Sequence, residues 1–136
     1  MSTEENKDVT TIATDRLAGL QQRLADFRDA RHWAQFHTPK NLASALSVEA
    51  AELLEPFQWL QSGERAELGE QQLQAVSEEM ADVLSYLLLL ADRLQIDLVE
   101  ASHRKIDQNA LRYPVSTAYG SALKASASPS GLSNED

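Results

Sequence analysis

Apolar residues recur at helical spacing along most of the chain, and no segment alternates with the period of two that a half-buried strand requires. Leu17, Leu20, Leu24 and Phe27 predict a first helix over about 15–35, which Thr38-Pro39 interrupts. Leu42, Leu46, Leu53 and Leu60 share one stripe of a second helix, with Ala45 and Phe57 beside them. This helix is expected to run from Asn41, a candidate N-cap, towards Trp59. Pro56 must end or kink it, because proline has no N–H to bond back to the carbonyl of Glu52. After the turn-rich linker "QSGERAELGE" (61–70), a third helix is predicted over 70–94. A fourth, over about 97–112, stops before Pro114. The expected fold is all-α: a four-helix domain over 14–115. A polar, loose stretch (1–13) precedes it, and a Ser-, Ala- and Gly-rich tail, disordered or draped over the surface (116–136), follows.

Two helices break the binary pattern. Glu49 stands three residues after Leu46 and four before Leu53, inside the leucine stripe of the second helix, with Glu52 on its edge. A lone buried carboxylate costs several kcal/mol, so one aimed at the core is expected to have a partner or a metal. The third helix has a core stripe of Leu73, Val76, Met80, Val83, Leu84, Leu87, Ala91 and Leu94, flanked by Glu79, Asp82 and Tyr86. Leu88, Leu89 and Leu90 make its second half apolar nearly all round. Such a helix needs cover on every side. Four short helices do not supply it, and a homo-oligomer sharing this helix is expected.

Composition narrows the chemistry. A formal charge of −9 over 136 residues argues against a partner such as a DNA or RNA polymer. It leaves room for a small anion escorted by a divalent cation. The absence of cysteine removes disulfides, thiolate metal sites and cysteine nucleophiles. An acidic start without a secretory pattern, and no apolar run long enough to span a bilayer, point to a cytoplasmic protein away from membranes.

The pairs Glu49/Glu52 and Glu79/Asp82 each place two carboxylates about one turn apart on a helix face. If the helices pack antiparallel, four carboxylates converge into an all-oxygen site suited to magnesium or manganese. In a chain with 21 acids, the Glu79/Asp82 pair alone reads more readily as a solvated face. Glu49 does not, given its leucine neighbours. Lys105, Asn109 and Arg112 form a stripe of donors on the fourth helix, either for phosphate oxygens or simply as cations favoured near a helix C-terminus. Trp33, His37 and Trp59 flank the acidic helix, either as core or as rings that stack on a base.

The segments "VEAAELLEPFQW" (48–59), "EEMADVLSYLLLLADRLQIDL" (78–98) and "KIDQNALRYPV" (105–115) resemble the MazG-like nucleoside triphosphate pyrophosphohydrolases. "FRDARHWAQFHTPKNLASAL" (27–46) is similar to their dCTP pyrophosphatase branch. The resemblance implies a hydrolase that cleaves dCTP, a modified dCTP or another dNTP to the monophosphate and pyrophosphate, in nucleotide-pool control. Glu49, Glu52, Glu79 and Asp82 would hold Mg2+, with Mn2+ as a substitute, and form the catalytic set. Tyr86, Lys105, Asn109 and Arg112 would meet phosphates, and Trp33 and Trp59, with His37 nearby, would flank the base. A tetramer is favoured over a dimer. One competing reading is a di-iron bundle built on Glu100 and His103, but it lacks a second Glu-x-x-His motif. Another is a non-catalytic helical nucleotide-binding or interaction module.

Overall fold

The computed structural model describes residues 5–125, with side chains from residue 16 onward. It contains α1 (Glu5–Ala30), α2 (Pro39–Leu54), α3 (Glu70–Leu94), α4 (Leu98–Arg112) and the single turn α5 (Val115–Ala118). Three 3-10 turns occupy Ala34–Phe36, Glu55–Phe57 and Arg65–Glu67. No strand occurs among the described residues, and the all-α expectation holds.

The boundaries have local causes. α1 starts at Glu5, inside the stretch expected to be loose, and ends at Ala30 rather than near Gln35. Its end is set by His32 at φ 54, after which the Trp33 N–H returns to the Arg28 carbonyl at 3.1 Å. That is the left-handed close with a six-to-one hydrogen bond that commonly finishes a helix. The N-cap of α2 is Thr38, not Asn41: the Thr38 hydroxyl accepts from the Asn41 N–H at 3.2 Å, and Pro39 follows at the first helical position. The Asn41 amide instead donates to the Phe36 carbonyl at 3.0 Å. Pro56 acts as expected, since α2 stops at Leu54 and tightens into a 3-10 turn. α3 keeps its predicted bounds and closes with Gln95 in the left-handed region.

The chain divides into two compact units, Met1–Leu98 and Val99–Asp136. In the first, α3 packs chiefly on α2, with α1 alongside. The Gln21 amide donates to the Leu88 carbonyl at 3.1 Å and Arg28 to the Asp92 carboxylate at 3.0 Å, so α1 runs parallel to α3. The order up, down, up leaves α2 antiparallel to both.

The buried apolar side chains among the described residues are Leu42, Val76, Leu88, Leu89 and Ala91. The stripe expected on α3 is therefore only partly core. Met80 is 57% exposed, and Leu84 and Leu94 are also exposed. Leu88 and Leu89 are buried where α1 bonds to the second half of α3. In the second unit, the Tyr113 hydroxyl accepts from the Ala125 N–H at 3.1 Å, which ties back part of the stretch read as disordered or draped. The rest of that tail, 126–136, lies outside the described residues.

Candidate metal centre

Antiparallel packing sets the second turn from the end of α2 against the middle of α3. Glu49, Glu79 and Asp82 each present a carboxylate oxygen within 4.8 Å of the others, Glu49 and Glu79 half-buried and Asp82 exposed. The Oε2 atoms of Glu49 and Glu79 are buried without a hydrogen-bond partner. An orphaned buried acceptor is costly, and these two belong to an acidic cluster that could hold a cation. The Glu49 carboxyl is pushed up to about 7. Burial is the main cause, followed by Glu52 and Glu79 within hydrogen-bonding reach, with the charges of Glu52 and Asp82 adding to the effect. Glu52 thus stands against Glu49 but outside the trio whose oxygens converge. Tyr86, half-buried, is one turn beyond Asp82 on α3. The donor set is all oxygen, which suits a hard divalent ion.

None of the remaining candidates is one of the three acids whose oxygens converge. Trp33 is 43% exposed and packs edge-on against Phe27, with ring centroids 5.7 Å apart and planes at 72°. The Arg31 guanidinium lies 3.5 Å from the Phe27 centroid and 5.9 Å from that of Trp33. His37 buries Nδ1 without a partner, and burial lowers its pKa, helped by the charges of Arg28 and Arg93. The Arg93 whose charge reaches His37 is about 16 Å along α3 from Asp82 at 1.5 Å per residue. Trp59, at 88% exposure, projects from the chain just after the 3-10 turn that follows α2. In the second unit Lys105, Asn109 and Arg112 are exposed on α4. Arg112 borders a cavity of about 200 Å³ together with Tyr113, Ser121 and Lys124. Sequence reasoning missed Phe27 and Arg31 as the braces of Trp33. Their aromatic and cationic character at positions 27, 31 and 33 was the available signal.

A family model described as MazG-like matches residues 44–126, which include all four acids and the α4 donors. The chain is 42% identical over 125 residues to dCTP pyrophosphatase 1 of Rattus norvegicus and 41% identical over 122 residues to that of Homo sapiens. Each alignment covers 88% of this chain and 72% of the relative. The crystal structure of a pyrophosphatase from Archaeoglobus fulgidus superposes with a TM-score of 0.68 at 48% identity, over 73% of this chain and 93% of that one. The chain belongs to the MazG-like family.

Among the described residues no helix is long and apolar enough to cross a membrane.

Proposed function

We propose that the chain is a nucleoside triphosphate pyrophosphohydrolase that cleaves dCTP to dCMP and pyrophosphate. One observation carries the reading: the oxygens of Glu49, Glu79 and Asp82 converge, two of these residues having a buried unpartnered oxygen. The 42% identity to a dCTP pyrophosphatase supports the choice of base.

Glu49, Glu79 and Asp82, with Glu52 beside Glu49, would hold Mg2+, with Mn2+ as a substitute, because hard oxygen donors prefer hard ions. A cation bound there supplies neutralisation of the triphosphate charge and a water of lowered pKa. Lys105 and Arg112 offer fixed positive charge to the phosphates, while Asn109 and the Tyr86 hydroxyl donate hydrogen bonds to their oxygens. Water attacks the α-phosphorus in line, the bond to the α,β-bridging oxygen breaks, and pyrophosphate leaves with its charge opposite Lys105 and Arg112. Trp33 and Trp59, at opposite ends of α2, each offer a base an aromatic face, with His37 in the same segment as Trp33. The enzyme works in the cytoplasm as a homo-oligomer, a tetramer in preference to a dimer.

Product analysis tests the reaction. Incubation with dCTP and Mg2+ is expected to yield dCMP and pyrophosphate with little orthophosphate. Release of dCDP and orthophosphate would overturn the proposal, whereas turnover of a different dNTP alone would overturn only the base assignment.

A further inference from the structure

The fifteen-residue connection between α2 and α3 (55–69) is largely exposed and tied by one carboxylate. Glu67 receives the Gln61 N–H at 3.0 Å on one oxygen and the Ser62 N–H at 3.0 Å on the other. The Ser62 hydroxyl donates to that second oxygen as well. The same hydroxyl accepts from the Glu64 N–H at 3.3 Å, so the turn is tied internally as well as to Glu67. Successive N–H groups converging on a carboxylate make an anion nest, and charge-assisted bonds of this kind are about twice as strong as neutral ones. These donors hold the Glu67 carboxyl below its ordinary range, hydrogen bonding from Ser62 being the main cause.

A second fixture lies on the other side of Trp59. Gly63 sits at φ +74 against the Phe57 ring, so close that a Cβ there would stand 2.7 Å from Phe57 Cδ1. The 3-10 turn adds bonds from the Gln58 N–H to the Glu55 carbonyl at 3.2 Å and from the Leu60 N–H to the Phe57 carbonyl at 2.9 Å. Trp59 is therefore bracketed: Phe57, two residues before it, is packed on Gly63, and Gln61, two residues after it, is tied to Glu67. Yet the indole itself is 88% exposed and gains little from burial in this chain. The arrangement fixes backbone around a side chain that has no apolar reason to be held still.

We propose that Glu67 is a positioning residue that clamps the α2–α3 loop and so presents the Trp59 indole as a preorganised platform for the nucleobase. The proposal rests on the nucleotide-hydrolase reading above. A platform already in place spares the ligand the entropic cost of ordering the loop, so the clamp acts on binding and not on the chemical step. Glu67 touches no reacting atom.

A double-mutant cycle on the full chain tests it, using Glu67→Gln, Trp59→Ala and the double variant, with dCTP and Mg2+. Glu67→Gln is expected to raise KM about five- to tenfold while leaving kcat within about twofold, since only ground-state binding is weakened. Hydrogen exchange at the Gln61 and Ser62 amides should accelerate in the same variant. Trp59→Ala is expected to raise KM at least as much, and adding Glu67→Gln to it should change KM no further. Ser62→Ala, which removes one donor and keeps both backbone bonds, should shift KM in the same direction by less. Full additivity in the cycle would overturn the clamp, as would a fall in kcat at constant KM. A normal KM for Glu67→Gln beside a raised KM for Trp59→Ala would also overturn it, leaving the nucleotide reading intact. An unchanged KM for Trp59→Ala would remove the platform and the proposal together. A wild-type chain that turns over no nucleoside triphosphate would sink the reading beneath both.

Discussion

Glu49 has its carboxyl pushed up to about 7 from an ordinary 4.5, so the folded chain binds a proton there that the unfolded chain has released. Between those two values the folded state holds the extra proton, and stability from this group falls as pH rises through the window. Glu49→Gln keeps the shape and removes the charge. In EDTA the variant should therefore melt with wild type below about pH 4.5 and above it beyond about pH 7. Magnesium binds the folded state alone and should raise the melting temperature of wild type far more than that of the variant, which should also lose activity. Melting curves of both proteins across pH, with EDTA and with Mg2+, check this. A variant that melts well below wild type in EDTA yet retains turnover would make Glu49 a structural acid rather than a ligand.

Helix ends decide where the site residues stand. Thr38 and Pro39 begin α2 three residues earlier than the asparagine that looked like its cap, and Pro56 prevents α2 from continuing past the acids. Thr38→Ala removes the hydroxyl that accepts the Asn41 N–H, a loss of about 1 kcal/mol. The melting temperature should fall by a few degrees, while KM and kcat stay close to wild type because α2 keeps its packing on α3. Calorimetry together with steady-state kinetics measures both. An unchanged melting temperature would show that Pro39 and the Asn41 side-chain bond to Phe36 suffice to start the helix.

Large apolar side chains are exposed on both units among the described residues. In the first unit Val48, Leu54, Met80, Leu84 and Leu94 are exposed, and in the second Ile106 and Leu111. Exposed aliphatic side chains in such number are a motive for burial against a partner. We expect light scattering to report an oligomer, a tetramer in preference to a dimer, whose assembly survives deletion of residues 116–136. A monomer at micromolar concentration would refute the assembly.

The helical period alone determined much of this protein. It set the all-α class, the bounds of α3, and the register that puts Glu49 among leucines and Glu79 one turn from Asp82. Period fixes the direction of each side chain about its own helix axis, which is why those assignments hold without knowledge of any neighbour. It does not say which neighbour fills that direction. Only packing decided that Glu49, Glu79 and Asp82 converge while Glu52 stands beside them, that Met80 and Leu84 lie open, and that His37 rests by Arg28 and Arg93. The N-cap of α2 and the Glu67 clamp were hidden for a related reason. Both depend on which side-chain oxygen meets which backbone N–H across a turn, and that choice follows from φ and ψ in a few aperiodic residues, where repetition along the chain carries no information.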